Sequence, residues 1–116
     1  MGEILENKIE TIEEKTVLKL RKPVMIDGEE KKEINYDFEN LTGQDVDNAF
    51  AAARKNGYMI NGPYEMDPIL GGYLFCEAAN IDYSDLKRFS ARDFKKAGTL
   101  GRNFFITDLA DQAEDI

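Results

Sequence analysis

The residues here that could do chemistry are few. The 116-residue chain has no histidine, so the commonest neutral-pH base and the commonest metal ligand are both missing. Thr42-Gly43 precedes an apolar-periodic stretch, as a phosphate-cradling helix start would. A phosphate loop, however, needs several glycines, usually with lysine. Here a single glycine is followed by Asp45 and Asp47, which repel phosphate. Thr42 as a helix cap, with Asp45 in the third helical position, satisfies the free amides instead. Gly43 then lets the preceding chain enter the helix tightly. Asp45 and Asp47 are two residues apart, do not share a helix face, and make a poor metal pair. Cys76 is the only cysteine and lies in an apolar stretch with no base beside it, which predicts a buried inert thiol. No catalytic, cofactor or metal site assembles from these residues.

Two clusters point to binding rather than catalysis. Arg92, Lys95, Lys96 and Arg102 belong to a basic run, with Lys87 and Arg88 before it. Arg92, Lys96 and Thr99 share one helical face, with Lys95 and Arg102 beside it. That face is either simply solvated or a docking surface for an acidic segment, from a partner or from a tail of another copy. Nucleic acid ranks third, because the aromatics of this stretch sit on the opposite face. The second cluster is "YMINGPYEM", residues 58–66, where Tyr58, Met59, Ile60, Tyr64 and Met66 crowd a loop. Loops of this length usually stay polar, so these residues either tuck onto the core or expose an adaptable binding surface.

The elements that must position these clusters can be read from periodicity. Leu18, Leu20, Val24 and Ile26 alternate with polar residues, as do Ile34, Tyr36 and Phe38, giving two strands around Asp27-Gly28. A two-residue loop would pair even with odd positions and put the apolar sets on opposite faces. A three-residue loop, Ile26-Asp27-Gly28, pairs Leu20 with Ile34 and Leu18 with Tyr36, and is the expectation. Pro23 marks an edge or an interruption. A helix follows from 43 to about 56, ended by Gly57. Asp67-Pro68 opens the next, whose "ILGGYLFCEAA" is apolar nearly all round and marks the buried helix. Gly71 and Gly72 there imply a close neighbour. Asp82 caps a short turn. Ser90 and Asp93 resemble a capping box opening a last helix, 91 to about 106. The fold expected is α+β, an N-terminal β-hairpin on a small bundle of three to four helices.

Charge is uneven along the chain. The net value is −8, of which residues 1–16 carry −3 and residues 108–116 carry −4, leaving −1 for the rest. The expected organisation is an acidic extension at 1–16, a domain at 17–106 and an acidic tail at 107–116. Within the extension, Leu5, Ile9 and Ile12 recur at helical spacing, too thin a stripe for a stable lone helix. No apolar run approaches the ~20 residues of a membrane helix, and the acidic start lacks a signal-peptide core, so a cytoplasmic protein is expected. The acidic ends repel nucleic acid.

The order of these pieces resembles a known family. "VLKLRKPVMIDGEEKKEINYDFENLTGQDVDNAF" is similar to the start of the phage tail assembly chaperones of the Mu-like and P2-like group: a strand with "LRKPV", a "DG" turn, a second strand, then "LTG" and an acid opening a helix. "YLFCEAANIDYSDLKRFSARDFKKAGTLGRNFF" continues the likeness, which spans about residues 17–106. The resemblance implies an assembly factor without catalytic residues, in the cytoplasm of a bacterial host. It would bind the tape measure protein during tail building, along with other copies of itself and tail tube subunits, and be absent from the finished virion. Leu41, Thr42, Gly43, Arg92 and Asp93 match its recurrent positions and read as structural. The apolar 58–66 loop departs from the shorter, polar connection of that pattern. On this reading the client groove lies between the last helix and that loop, with Arg92, Lys95, Lys96 and Arg102 steering and Tyr58, Met59 and Tyr64 in contact. The alternative is a permanent minor tail or baseplate protein.

Overall fold

The computed structural model describes residues 16–59 and 62–115, and within them every side chain but those of 65 and 107–115. The acidic extension, apart from Thr16, and Ile60 of the apolar loop lie outside the described residues. The fold is α+β as expected. An antiparallel hairpin, β1 (Val17–Ile26) and β2 (Glu29–Asn35), is followed by α1 (Gly43–Lys55), a 3-10 turn (Tyr64–Met66), α2 (Pro68–Ala79), the one-turn α3 (Tyr83–Leu86) and α4 (Ala91–Asp115).

The hairpin corrects the expected turn. Ile26 lies opposite Glu29, so the loop is the two-residue Asp27-Gly28. Both residues have positive φ, 53° and 79°, as a mirror-image type I′ turn requires. The parity problem is solved further along. Between Lys19 and Val24 the register slips by three residues, and beyond the slip Leu18 faces Ile34 rather than Tyr36. Leu18, Val24, Ile26 and Ile34 are all buried in one cluster. Pro23, which has no amide to pair, sits inside this bulge.

α2 is the central helix, buried on two sides. Phe75 and Cys76 join the hairpin cluster with Leu86, Phe89 and Ala97, while Leu70, Tyr73 and Leu74 join Ala49 and Ala53 of α1 and Phe105 of α4. Its start is fixed by the Asp67 carboxylate, which accepts from the amides of Ile69 and Leu70 at 2.9 and 3.2 Å. Its end is fixed by Asn80 in the left-handed conformation. The close neighbour of Gly71 is α4. A Cβ at Gly71 would overlap Gly98 O and lie 2.6 Å from Arg102 N, and one at Gly101 would overlap the Gly71 carbonyl. Backbone thus meets backbone at this crossing, and no larger residue fits either position.

α4 overruns its expected end near 106 and continues to Asp115. Nothing after Ile106 stops it, since 107–115 contain neither glycine nor proline. The acidic residues expected as a tail therefore sit on its last turns.

Candidate binding surface

Three elements build the surface: the start of α4, the β1 bulge, and the 58–66 loop. Ser90 accepts from the Asp93 amide at 3.2 Å, one half of the expected capping box. The other half is corrected, because the Asp93 carboxylate is turned to β1. It accepts from Arg21 N at 2.9 Å and Lys22 N at 3.3 Å, two amides inside the bulge. Asp93 is 2% exposed. Burial raises its pKa, but the Arg21 and Lys22 amides, the Ser90 hydroxyl and the Arg21 charge outweigh that and hold the carboxyl below its usual value. Arg88 adds a second tie, donating to the Met25 carbonyl while pairing with Asp85 at 2.8 Å.

This joint faces the cations outward. Arg92, Lys95 and Lys96 are exposed and Arg102 is half-buried, while Ala97, Gly98, Gly101 and Phe105 turn inward. Among the described residues none of the four cations is in an ion pair. The Arg102 Nε atom is buried with no hydrogen-bond partner among them. Arg21 and Lys22, also exposed, extend the basic face across the bulge. Sequence reasoning missed both, because only the contact with Asp93, 72 residues on, brings them there.

The loop takes both of its expected fates. Tyr58 is half-buried and its hydroxyl donates to the Asp67 carboxylate. That bond, with burial, pushes the phenol up to about 12. Tyr64 stands edge-on to Phe50 at 5.7 Å and to Phe105 at 5.4 Å. Met59 and Met66, by contrast, turn outward, 78% and 54% exposed, and Tyr64 keeps 43% exposure. Three of the four exposed large hydrophobic side chains among the described residues are therefore on this one loop.

The two halves of the expected groove are separated along α4. The loop meets the helix at Phe105, ~20 Å along the axis from Arg92. Arg102 lies one turn from Phe105 and joins the loop end, whereas Arg92, Lys95 and Lys96 gather at the bulge end. At the entry to α1, Thr42 and Asp45 form the capping box, the amide of Thr42 donating to the Asp45 carboxylate at 2.8 Å. Gly43 is corrected there. Its φ is not positive and a Cβ would meet nothing within 4 Å, so tight entry does not require it.

A cleft of about 320 Å³ between α1, α2 and α3 was not legible in the sequence. Lys55, Asn56, Tyr73, Glu77, Asp82 and Lys87 help to line it, with Tyr73 and Tyr83 stacked at 3.8 Å. Its cations and acids balance, and its residues come from separate segments that carry no common motif. Cys76 lies at its floor, 4% exposed, and burial with the nearby Asp82 and Glu77 charges pushes the thiol up to about 12. That thiol is not a nucleophile at neutral pH. Among the described residues no three acidic or thiol side chains gather as a metal site, and no helix is long and apolar enough to cross a membrane. Comparison with protein-family models, with curated proteins and with solved structures finds no match.

Proposed function

We propose that this chain is a tail assembly chaperone, acting in the cytoplasm of a bacterial host, that covers apolar stripes of a phage tape measure protein until tail tube subunits replace it. The observation that carries the reading is the concentration of Met59, Tyr64 and Met66 on one loop. Methionine adapts its shape to varied apolar partners, and Tyr64, braced by Phe50 and Phe105, supplies a rigid anchor between the two. An amphipathic helix laid on that loop would meet Arg102 next, and the outward cations of α4 would steer acidic flanks toward it. Further copies would add through β2, because β1 already gives amides to Asp93 and a carbonyl to Arg88.

The test is co-expression with a phage tape measure protein, whose gene this reading expects just downstream of the one for this chain. The expected result is a client that stays soluble with the chain and aggregates without it. Met59→Glu with Met66→Glu should abolish that protection while leaving the fold intact, since both side chains are exposed. Equal insolubility of the client in the presence and absence of the chain sinks the reading. Recovery of the chain from purified virions would instead favour a permanent tail component.

A further inference from the structure

The charges of α4 run against its dipole. A helix carries partial positive charge at its start and partial negative charge at its end, so early acids and late bases stabilise it. Over its 25 residues α4 has the reverse order. Arg92, Lys95 and Lys96 stand in its first turns. The single acid between 91 and 106 is Asp93, and its carboxylate is buried against β1. Asp108, Asp111, Glu114 and Asp115 occupy the last turns, with no base among residues 107–115. Such an order costs the isolated helix at both ends, and is offset where each end meets its opposite. The two ends cannot meet within one chain, because one helix carries both and holds Arg92 ~33 Å from Glu114 along its axis.

A free face joins the two ends. Arg92, Lys96, Thr99, Asn103 and Ile106 recur at steps of four, three, four and three, which makes one stripe of the helix. Arg92, Lys96 and Asn103 are exposed, and Thr99 and Ile106 are half-buried. The rest of the circumference is taken. Gly98 and Gly101 abut α2, Phe105 meets Tyr64, and Asp93 holds β1. Among the described residues no ion pair involves Arg92, Lys95 or Lys96.

We propose that the partner of this face is a second copy of the chain, with the two α4 helices side by side and antiparallel. Asn103 is the midpoint of Ala91–Asp115. Pairing about Asn103 sets Arg92 of one copy level with Glu114 of the other, and Lys95 level with Asp111. The two-fold axis makes each juxtaposition twice, so one contact serves all four helix ends. A parallel pair would bring like ends together and repel. The contact is a narrow and mostly polar strip, so the dimer is weak, with a Kd on the order of 100 μM.

The proposal stands apart from the chaperone reading, and its test contains no client. Sedimentation equilibrium of the full chain, from roughly 10 μM to roughly 1 mM, should show a mass that rises to that of a dimer and stops there. Arg92→Glu with Lys95→Glu sets acid against acid and should weaken association at least ~ten-fold. Asp111→Lys with Glu114→Lys sets base against base and should do the same. Both reversals suit the helix dipole, so neither should unfold α4. Mixing the two variants should restore a dimer with one chain of each, and placing all four substitutions in one chain should restore a dimer of that chain. Asn103→Cys, at the axis, should form a linked dimer under mild oxidation several-fold faster than Asn48→Cys on α1, with the buried Cys76 silent in both. A native chain still monomeric at roughly 1 mM, or variants that do not rescue each other, would overturn the proposal. A mass that climbs past the dimer while Asn103→Cys stays unlinked would mean head-to-tail contacts and overturn the antiparallel pair.

Discussion

Two stretches of this molecule share the spacing hydroxyl–x–x–aspartate and put it to different ends. At Thr42-x-x-Asp45 the aspartate folds back on its own cap, accepting from the Thr42 amide at 2.8 Å and the Thr42 hydroxyl at 3.1 Å, in an exposed position. At Ser90-x-x-Asp93 the hydroxyl still caps, but the aspartate leaves its helix and satisfies the bulge in β1. The first joint is local and closes a helix end. The second holds two distant segments together and sets the register of the hairpin. The difference lies not in the motif but in what lies opposite it. A strand with a register slip supplies two amides inside its bulge, and a buried carboxylate is the group that can take both.

If the contrast is right, removing the two aspartates should differ severalfold in cost. Asp93→Ala leaves the bulge amides without their acceptor, and should destabilise the fold by about 3 kcal/mol, read from denaturant midpoints. Asp45→Ala should cost about 0.5–1 kcal/mol, since water reaches the Thr42 amide. Equal losses would mean the bulge finds another acceptor. A next test uses pH. The folded Asp93 carboxyl sits below its ordinary value, so its contribution is fully present above about pH 4 and is lost as pH falls through the lowered folded value. The stability gap between the native chain and Asp93→Ala should therefore shrink on acidification below pH ~4 and hold steady from pH ~5 to 7. A gap unchanged down to pH ~2 would remove the ionised carboxylate from the account.

The same contrast explains what was legible in the sequence. Caps at Thr42, Asp67 and Asp82 could be read because donor and acceptor lie within three residues of each other. The turn length could not, because the parity problem at Asp27-Gly28 is repaired by a bulge held in place by a residue far along the chain. Gly71 announced a close neighbour, but only the packed structure names Gly98 and Gly101 as its partners. Of the candidate surface, the outward cations of α4 follow from helical period alone. The division of the loop does not. Whether Tyr58 and Tyr64 dock while Met59 and Met66 face out depends on Asp67, Phe50 and Phe105, none of which is a local neighbour in the periodic sense.

Smaller effects sharpen the local side of the comparison. Thr42→Ala removes the cap oxygen that accepts from Asp45 N at 3.3 Å and should cost about 1 kcal/mol, with no change in hairpin register by NMR. Register change at β1 would mean that the two joints are coupled after all.

The smallest expected effect has the opposite sign. Gly43 stands at the first position of α1, with helical backbone and open space where a side chain would go. Alanine there restricts the unfolded chain and clashes with nothing, so Gly43→Ala should stabilise by about 0.5 kcal/mol, seen as a small rise in Tm. Gly71→Ala, made alongside, places its methyl against Gly98 O and Arg102 N and should destabilise strongly. Opposite signs from one substitution at two glycines would establish that the α2–α4 crossing requires glycine while the α1 entry only tolerates it. A loss of stability at Gly43 would show instead that the exposed joint is held more tightly than its open surroundings imply.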